Sequence, residues 1–211
     1  MSEEQKTLAD LVQKTPNGVP FIEITDLLTE EELKNVWRTI DSFEIAYMPR
    51  DPGETGASAP VGQNLSQLKQ NYSIPLGMIY GSPEVQALCP LTNSLVPKFD
   101  GLRVPLSEAD PAFRQLGVIP HLNIRLNYYG DGDRYENHID EGHITAIFFV
   151  ARDETRFEGG DVILEDECEV KFENNKLLVM PSYAVHRVTP VEVRREDELS
   201  GNGRWSLTMM V

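Results

Sequence analysis

Leu122-Asn123-Ile124-Arg125-Leu126-Asn127-Tyr128-Tyr129 is the stretch on which the reading of this chain turns. Leu122, Ile124, Leu126 and Tyr128 alternate with Asn123, Arg125, Asn127 and Tyr129, a period of two that marks a strand with one apolar and one polar face. Towards the C-terminus, β-rich runs follow at 145–151, 161–164, 169–172, 176–180, 184–189 and 204–211, separated by Gly, Asp, Asn and Pro turns. Short strands at this spacing predict a β-sandwich or small barrel. In the other direction the texture is mixed. Leu8, Leu11 and Val12 predict a short amphipathic helix over 3–14, broken by Thr15-Pro16-Asn17-Gly18, and 19–24 reads as a strand. Thr29 ahead of Glu30-Glu31-Glu32 is a capping-box signature, with Leu33, Val36, Trp37 and Ile40 as the apolar stripe of a helix ending near Ser42. Segments 82–96 and 105–116 read as further helices interrupted by prolines, and these helices are expected to pack on one face of the β structure. The Pro- and Gly-rich run 49–62 reads as a long loop, either a lid or a surface insertion. The expectation is α+β, mainly β, with residues 1–211 forming one domain: 1–119 as support and 120–211 as the β core.

The composition narrows the partners. Nineteen Lys and Arg stand against 34 Asp and Glu in 211 residues, a net charge of −15. No basic run offsets it, so neither a nucleic acid nor an anionic membrane is an expected partner. No window has the ~20 apolar residues of a membrane helix, and the charged Met1 to Asp10 segment is unlike a signal core, which predicts a cytoplasmic protein. Cys89 and Cys168 lie in no metal spacing and suggest no disulfide framework.

Four histidines occur, and His138-Ile139-Asp140 puts an imidazole and a carboxylate on the same side of an extended segment. His186, in a different predicted strand, would complete a two-His-one-carboxylate set of the kind that holds non-haem Fe(II) and leaves positions open. A hydrogen-bonded surface pair, or a zinc hydrolase built on the same three ligands, fits the same residues. His143 reads as solvent-facing or as a support behind the ligands, and His121 as structural. Gly159-Gly160 reads as a tight turn needing positive φ, and Glu165-Asp166-Glu167 as a solvated turn.

The flanks carry a resemblance. Tyr129-Gly130-Asp131-Gly132-Asp133-Arg134-Tyr135-Glu136-Asn137-His138-Ile139-Asp140 resembles the Y-x-x-G-x-x-Y-x-x-H-x-D region of the prolyl 4-hydroxylase family of Fe(II)/2-oxoglutarate oxygenases. Phe157-Glu158-Gly159-Gly160-Asp161 is similar to that family's F-x-G-G-[DE] turn. Pro181-Ser182 with His186-Arg187-Val188-Thr189-Pro190-Val191 is similar to its distal-histidine segment, and Gly203-Arg204-Trp205-Ser206-Leu207-Thr208 to its last core strand. The resemblance covers residues 120–211 and implies a double-stranded β-helix, a distorted jelly roll. It implies His138, Asp140 and His186 as iron ligands and catalytic residues, Fe(II), 2-oxoglutarate and O2 as cofactor and cosubstrates, and ascorbate as a further candidate.

It also implies that Arg204 binds the distal carboxylate of 2-oxoglutarate, a role suited to the planar fork of a guanidinium. Ser206, two residues along, is placed to donate to the same carboxylate. Tyr129 is the preferred cosubstrate-facing phenol, with Tyr128 as the alternative should the register slip by one. The family's basic residue usually follows the distal histidine more closely, at the spacing of Arg195, so Arg204 requires an insertion over 194–203, and Arg195 stays an alternative. Phe149 stands where some relatives place a tyrosine. Arg125, Tyr135 and Trp205 are candidates for contact with the second substrate, Arg125 being equally readable as one half of an ion pair and Trp205 as a core residue. The reaction implied is hydroxylation of an unactivated C–H bond, of a prolyl residue in a peptide or protein, with decarboxylation of 2-oxoglutarate to succinate. A free amino acid or other small molecule is the next substrate reading. A nucleobase demethylase, disfavoured by Met210 in the place of a second arginine, and a non-catalytic metal-binding jelly roll are the others.

Overall fold

The computed structural model describes residues 7–50, 68–80, 82–86, 88–120, 122–197 and 200–211. Fourteen strands form three antiparallel sheets among these residues. They are β1 (Val12–Lys14), β2 (Pro20–Ile24), β3 (Lys69–Gln70), β4 (Tyr72–Pro75), β5 (Asn123–Tyr129), β6 (Arg134–His138) and β7 (Ile144–Val150), followed by β8 (Phe157–Gly159), β9 (Val162–Leu164), β10 (Cys168–Val170), β11 (Lys176–Pro181), β12 (His186–Val188), β13 (Val191–Val193) and β14 (Arg204–Met210). The major sheet has the order β1-β2-β11-β7-β14-β5-β4, the minor sheet β10-β9-β12-β6-β3, and β13 pairs with β8. This is the double-stranded β-helix expected, mainly β with helices on one side.

The alternation in β5 is realised residue by residue. Ile124, Leu126 and Tyr128 are buried in one apolar cluster, with Trp205, Leu207 and Met209 of β14. Antiparallel pairing sets Trp205 opposite Tyr128, Leu207 opposite Leu126 and Met209 opposite Ile124, so these six side chains share a face. That face is covered by the helices α1 (Glu30–Ile40) and α2 (Pro90–Ala109), through Val36 and Ile40 of the first and Leu91, Leu95, Phe99 and Leu106 of the second. Each large apolar side chain so buried contributes about 1.5–3 kcal/mol. The opposite face looks across to the minor sheet. A second cluster of buried residues includes Phe149, Val162, Leu164, Leu178 and Met180.

The capping box forms as read: the Glu32 amide donates to Thr29 Oγ1 at 3.3 Å, and the Thr29 amide donates to Glu32 Oε2 at 2.8 Å. Three glutamates in the first turn and Arg38 in the last also suit the helix dipole. Trp37 and Phe43 pack partly buried against the larger core.

Two helical expectations need correction. The segment 3–14 is no amphipathic helix over its described part: Leu8–Leu11 is a single 3-10 turn, and Val12 already enters β1, where pairing with β2 satisfies the backbone. The prolines do not divide the later helices as expected. Pro83–Gln86 is one turn, and α2 then runs unbroken from Pro90 through Pro97 and Pro105. Pro90 sits at the favourable first turn, and the buried stripe of α2 outweighs the bonds its inner prolines cannot make. The Leu91 amide near its start donates to Thr39 Oγ1 of α1 at 3.1 Å. Residues 111–117 form a separate 3-10 turn, Pro111–Gly117. The lid reading of 49–62 and the structural reading of His121 lie outside the described residues, apart from Pro49 and Arg50. No described helix is long and apolar enough to cross a membrane.

Candidate metal centre

Strand pairing alone brings the two histidines together. His138 ends β6, His186 begins β12, and they are direct cross-strand partners, with ring centroids 4.1 Å apart. Asp140 follows two residues after His138, its amide tied to the Ser182 carbonyl at 3.0 Å. Its carboxylate lies 3.6 Å from His138 Nε2 and 3.5 Å from His186 Nε2. Among the described residues these three form a group whose ligand atoms all lie within 4.8 Å of one another.

The hydrogen bonds around the group set its polarity. His138 Nδ1 bonds the Glu136 carbonyl at 2.8 Å, and His186 Nδ1 bonds the Ala184 carbonyl at 2.9 Å. A carbonyl only accepts, so each Nδ1 carries a proton and each Nε2 is left facing the carboxylate. Burial holds His186 down at about 4, so its Nε2 offers a lone pair at neutral pH. Burial alone would raise Asp140, but His138, His186 and the Thr145 hydroxyl, which donates to it at 2.8 Å, together hold it at about 2. Ser182 Oγ, 2.9 Å from Thr145 Oγ1, extends this support. Lone pairs and an ionised carboxylate converging in this way suit a cation, and the donor set suits Fe(II). Tyr135 stacks on His138, centroids 3.5 Å apart, which fixes the ring from the side.

The group opens into a cavity of about 240 Å³ between the sheets. Its wall includes Asn123, Arg125, Asn127 and Tyr129, the polar face of β5, together with Arg204, Ser206, Thr208 and Met210 of β14. Arg204 is 1% exposed. Its Nε donates to the Gly160 carbonyl at 2.7 Å and its Nη1 to Ser206 Oγ at 3.1 Å, and the guanidinium lies 4.8 Å from the Tyr129 ring centroid and 5.1 Å from that of Phe149. Its Nη2 is buried and has no hydrogen-bond partner. Burial works against the charge of this group. A buried cation with one unsatisfied edge, in a residue that lines a cavity, is what an acidic ligand would complete. Gly160, at φ +75°, is required here, because a Cβ would stand 2.5 Å from Arg204 Cδ. Tyr129 is buried and raised to about 12, so its phenol keeps its proton and can donate.

The structure gathers most of the expected residues. His138, Asp140, His186, Arg204, Ser206, Tyr129, Arg125 and Tyr135 all line one cavity, whereas Tyr128 lies in the apolar cluster on the opposite face of β5. Trp205 is a correction: odd and even residues of a strand point to opposite faces, so it packs on Tyr128, centroids 4.6 Å apart, with its Nε1 donating to the Gly201 carbonyl at 2.9 Å. His143 is exposed, as expected. Arg195 belongs to a short 3-10 turn, Arg195–Asp197, and not to a strand. Sequence reasoning missed Lys69, Thr145, Asn127 and Thr208. The last two are legible from the alternation that gave Tyr129, and Asn127 Nδ2 donates to Thr208 Oγ1 at 3.1 Å. Thr145 is the register partner of Met210, already on the cavity face. Lys69 has no comparable signal. It is 5% exposed and lowered to about 7, by burial and then by Arg125, with Asp140 opposing.

Comparison with known proteins agrees with this geometry. Residues 124–211 match the family model of the 2OG-Fe(II) oxygenase superfamily, a family defined by Fe(II), 2-oxoglutarate and O2. A PKHD-type hydroxylase of Delftia acidovorans is 27% identical over 188 residues, covering 81% of this chain and 72% of that protein. Another, of Aliarcobacter butzleri, is 30% identical over 120 residues, 48% of this chain and 50% of its own. Among solved structures, a Trichoplax adhaerens prolyl hydroxylase bound to a hypoxia-inducible-factor peptide fragment has TM-score 0.62 at 16% identity, covering 90% of this chain and 81% of that one. A Pseudomonas putida prolyl-4-hydroxylase has TM-score 0.61 at 14% identity, covering 90% of each. The chain thus resembles the Fe(II)/2-oxoglutarate oxygenases of the prolyl 4-hydroxylase family, and at these identities the structural likeness is one of fold.

Proposed function

We propose that the protein is an Fe(II)- and 2-oxoglutarate-dependent dioxygenase that hydroxylates an unactivated C–H bond of a prolyl residue in a peptide or protein, releasing succinate. The observation that carries the reading is Arg204: a buried guanidinium with an unsatisfied Nη2, opening on the same cavity as the His138, Asp140 and His186 group. The three side chains would hold the metal, and Arg204, with Ser206 and the Tyr129 phenol beside it, the distal carboxylate of 2-oxoglutarate. Fe(II) with 2-oxoglutarate and O2 supplies the oxidising power. The chain's own part is orientation and exclusion of water. Gly160 and Ser206 fix the guanidinium fork, Thr145 and the backbone carbonyls aim the ligands, and the apolar side chains of Ile147 and Val188 in the cavity wall disfavour water.

In this reading residues 1–211 act as one domain, acid-rich enough to exclude a nucleic-acid substrate. A free amino acid or other small molecule is the second substrate reading, favoured by a cavity of only about 240 Å³. The test is to load the protein with Fe(II) under nitrogen and add O2, 2-oxoglutarate and a panel of proline-containing peptides and free amino acids, following succinate and a mass gain of one oxygen. Succinate release that needs both Fe(II) and 2-oxoglutarate is expected. Its absence under every condition would refute the oxygenase reading.

A further inference from the structure

Thr145 is out of keeping with its strand. All seven residues of β7 are buried, and the other six are apolar. A buried hydroxyl costs free energy unless its hydrogen bonds are made, and valine would suit the same backbone at least as well. Here the hydroxyl is directed at Asp140. Thr145 Oγ1 donates to Asp140 Oδ2 at 2.8 Å and lies 2.9 Å from Ser182 Oγ, just beyond the end of β11. Both hydroxyl-bearing residues are fully buried, so any effect they have on a ligand must pass through Asp140.

Elementary chemistry fixes the direction of this chain. An ionised carboxylate only accepts, and a threonine hydroxyl has one proton, so that proton points to Asp140. The proton between the two hydroxyls is then the serine's. Ser182 donates to Thr145 and Thr145 to Asp140, each bond polarising the next. The backbone holds the same residues in place. The Asp140 amide donates to the Ser182 carbonyl at 3.0 Å, and the Ser182 amide to the His143 carbonyl at 3.0 Å. Gly142, at φ +104°, lets the chain turn between them, since a Cβ there would stand 2.8 Å from the Val211 carbonyl oxygen.

The two carboxylate oxygens of Asp140 are therefore unlike. Oδ2 is engaged by the threonine. Oδ1 accepts no hydrogen bond among the described residues, and His138 Nε2, 3.6 Å from it, carries a lone pair and not a proton.

We propose that Ser182 and Thr145 are positioning residues that make Asp140 a one-oxygen ligand: Oδ1 closes on the metal, and Oδ2 is kept off it. The inference rests on the metal-centre part of the oxygenase reading and adds a consequence for the cosubstrate. A carboxylate gripping through both oxygens would fill one of the positions that a two-His-one-carboxylate set leaves open. A keto acid binding through two oxygens needs two such positions side by side. The hydroxyl pair thus acts on 2-oxoglutarate through the room left at the metal, without touching it.

Co(II) in place of Fe(II), under nitrogen, gives a test that needs no turnover. Each protein is saturated with Co(II), its visible spectrum is recorded, and 2-oxoglutarate is titrated in. Thr145→Val keeps the shape and removes the hydroxyl; it should change the Co(II) spectrum and weaken 2-oxoglutarate about tenfold or more. Thr145→Ser should retain both parent properties. Ser182→Ala should give a smaller loss, and none beyond that of Thr145→Val when the two are combined, because the serine acts through the threonine. A Thr145→Val protein that matches the parent in spectrum and in 2-oxoglutarate affinity overturns the proposal, as does a Thr145→Ser protein that behaves like Thr145→Val. Full additivity of the two substitutions also overturns it, by removing Ser182 from the chain. If Thr145→Val does not fold, Ser182→Ala decides, and its identity with the parent in both measurements is the overturning result. A parent protein that binds no Co(II) would instead refute the metal-centre reading itself.

Discussion

The two faces of the β5–β14 ladder share one backbone and differ in every respect that matters for chemistry. On one, Leu126, Tyr128, Trp205, Leu207 and Met209 are sealed beneath two helices. On the other, Arg125, Asn127, Tyr129, Arg204, Ser206 and Thr208 line a cavity. The first face stabilises by area removed from water. The second holds a buried cation and buried amides, which cost free energy unless something completes them. The lesson is that adjacent residues can be assigned to folding or to binding by parity alone.

The largest expected effect would sharpen that division. His138→Ala or His186→Ala should abolish turnover and weaken Fe(II) binding by more than the ~100-fold typical of losing an outer-shell partner. His143→Ala, exposed nearby, should keep both. Unchanged iron affinity in the His186 variant, measured by titration, would show that the group is not the metal site.

Next in size is Arg204→Ala, which leaves an acidic ligand without its buried partner. It should weaken 2-oxoglutarate by about 2–5 kcal/mol, ~30-fold or more, while iron remains bound. Arg204→Lys should recover part of the loss. A silent Arg204→Ala beside a damaging Arg195→Ala would move the cosubstrate site to the shorter family spacing.

A neighbour on the opposite face provides the complementary test. Leu207→Ala should cost about 2–5 kcal/mol of stability in denaturant unfolding, with KM for 2-oxoglutarate unchanged in the folded protein. Ser206→Ala should do the reverse, raising KM with little loss of stability. Equivalent profiles for the two variants would break the parity argument.

The smallest effect concerns the metal-free protein and acid. Burial holds His186 at about 4, against 6.5 for an ordinary imidazole. Between those values the unfolded chain binds a proton that the folded chain does not, so stability falls as pH drops from about 6.5 to about 4. Asp140, held near 2 against 3.8, adds a further loss as pH falls below 3.8. Urea midpoints of the metal-free protein should decline through the upper window, and less so in His186→Gln. A flat profile in the parent would contradict the buried, neutral histidine.

How much of this was legible follows from the range of each interaction. The β5 alternation, the Thr29 capping box and the Gly159-Gly160 turn are local, and each formed where the sequence placed it. Local rules failed where a distant surface decided the matter. The prolines of α2 read as breaks, yet its buried residues hold the helix through them. Strand β6 has no alternation to read, because none of its residues is buried and its one essential feature is its pairing with β12. Trp205 beside Arg204 reads from the sequence as either a core or a pocket-rim residue, and its parity places it in the core. Lys69 reaches the cavity through a two-residue strand paired far along the chain, and no property of its neighbours announces that.

The position of β14 has a consequence for how the molecule is made. It lies between β7 and β5, both of which precede it in sequence and neither of which pairs with the other. Until β14 arrives, two seven-residue strands, each with an apolar face, keep open edges, the condition that invites pairing with another chain. The same strand brings Arg204, so the event that heals the sheet also delivers the guanidinium to the cavity. Assembly of the sheet and appearance of a 2-oxoglutarate site should therefore be a single kinetic step, slow because the contacts it makes are distant in sequence. In refolding followed by amide exchange and by 2-oxoglutarate binding, the two signals should rise together; binding capacity that precedes protection of β5 and β7 would show that they are separate.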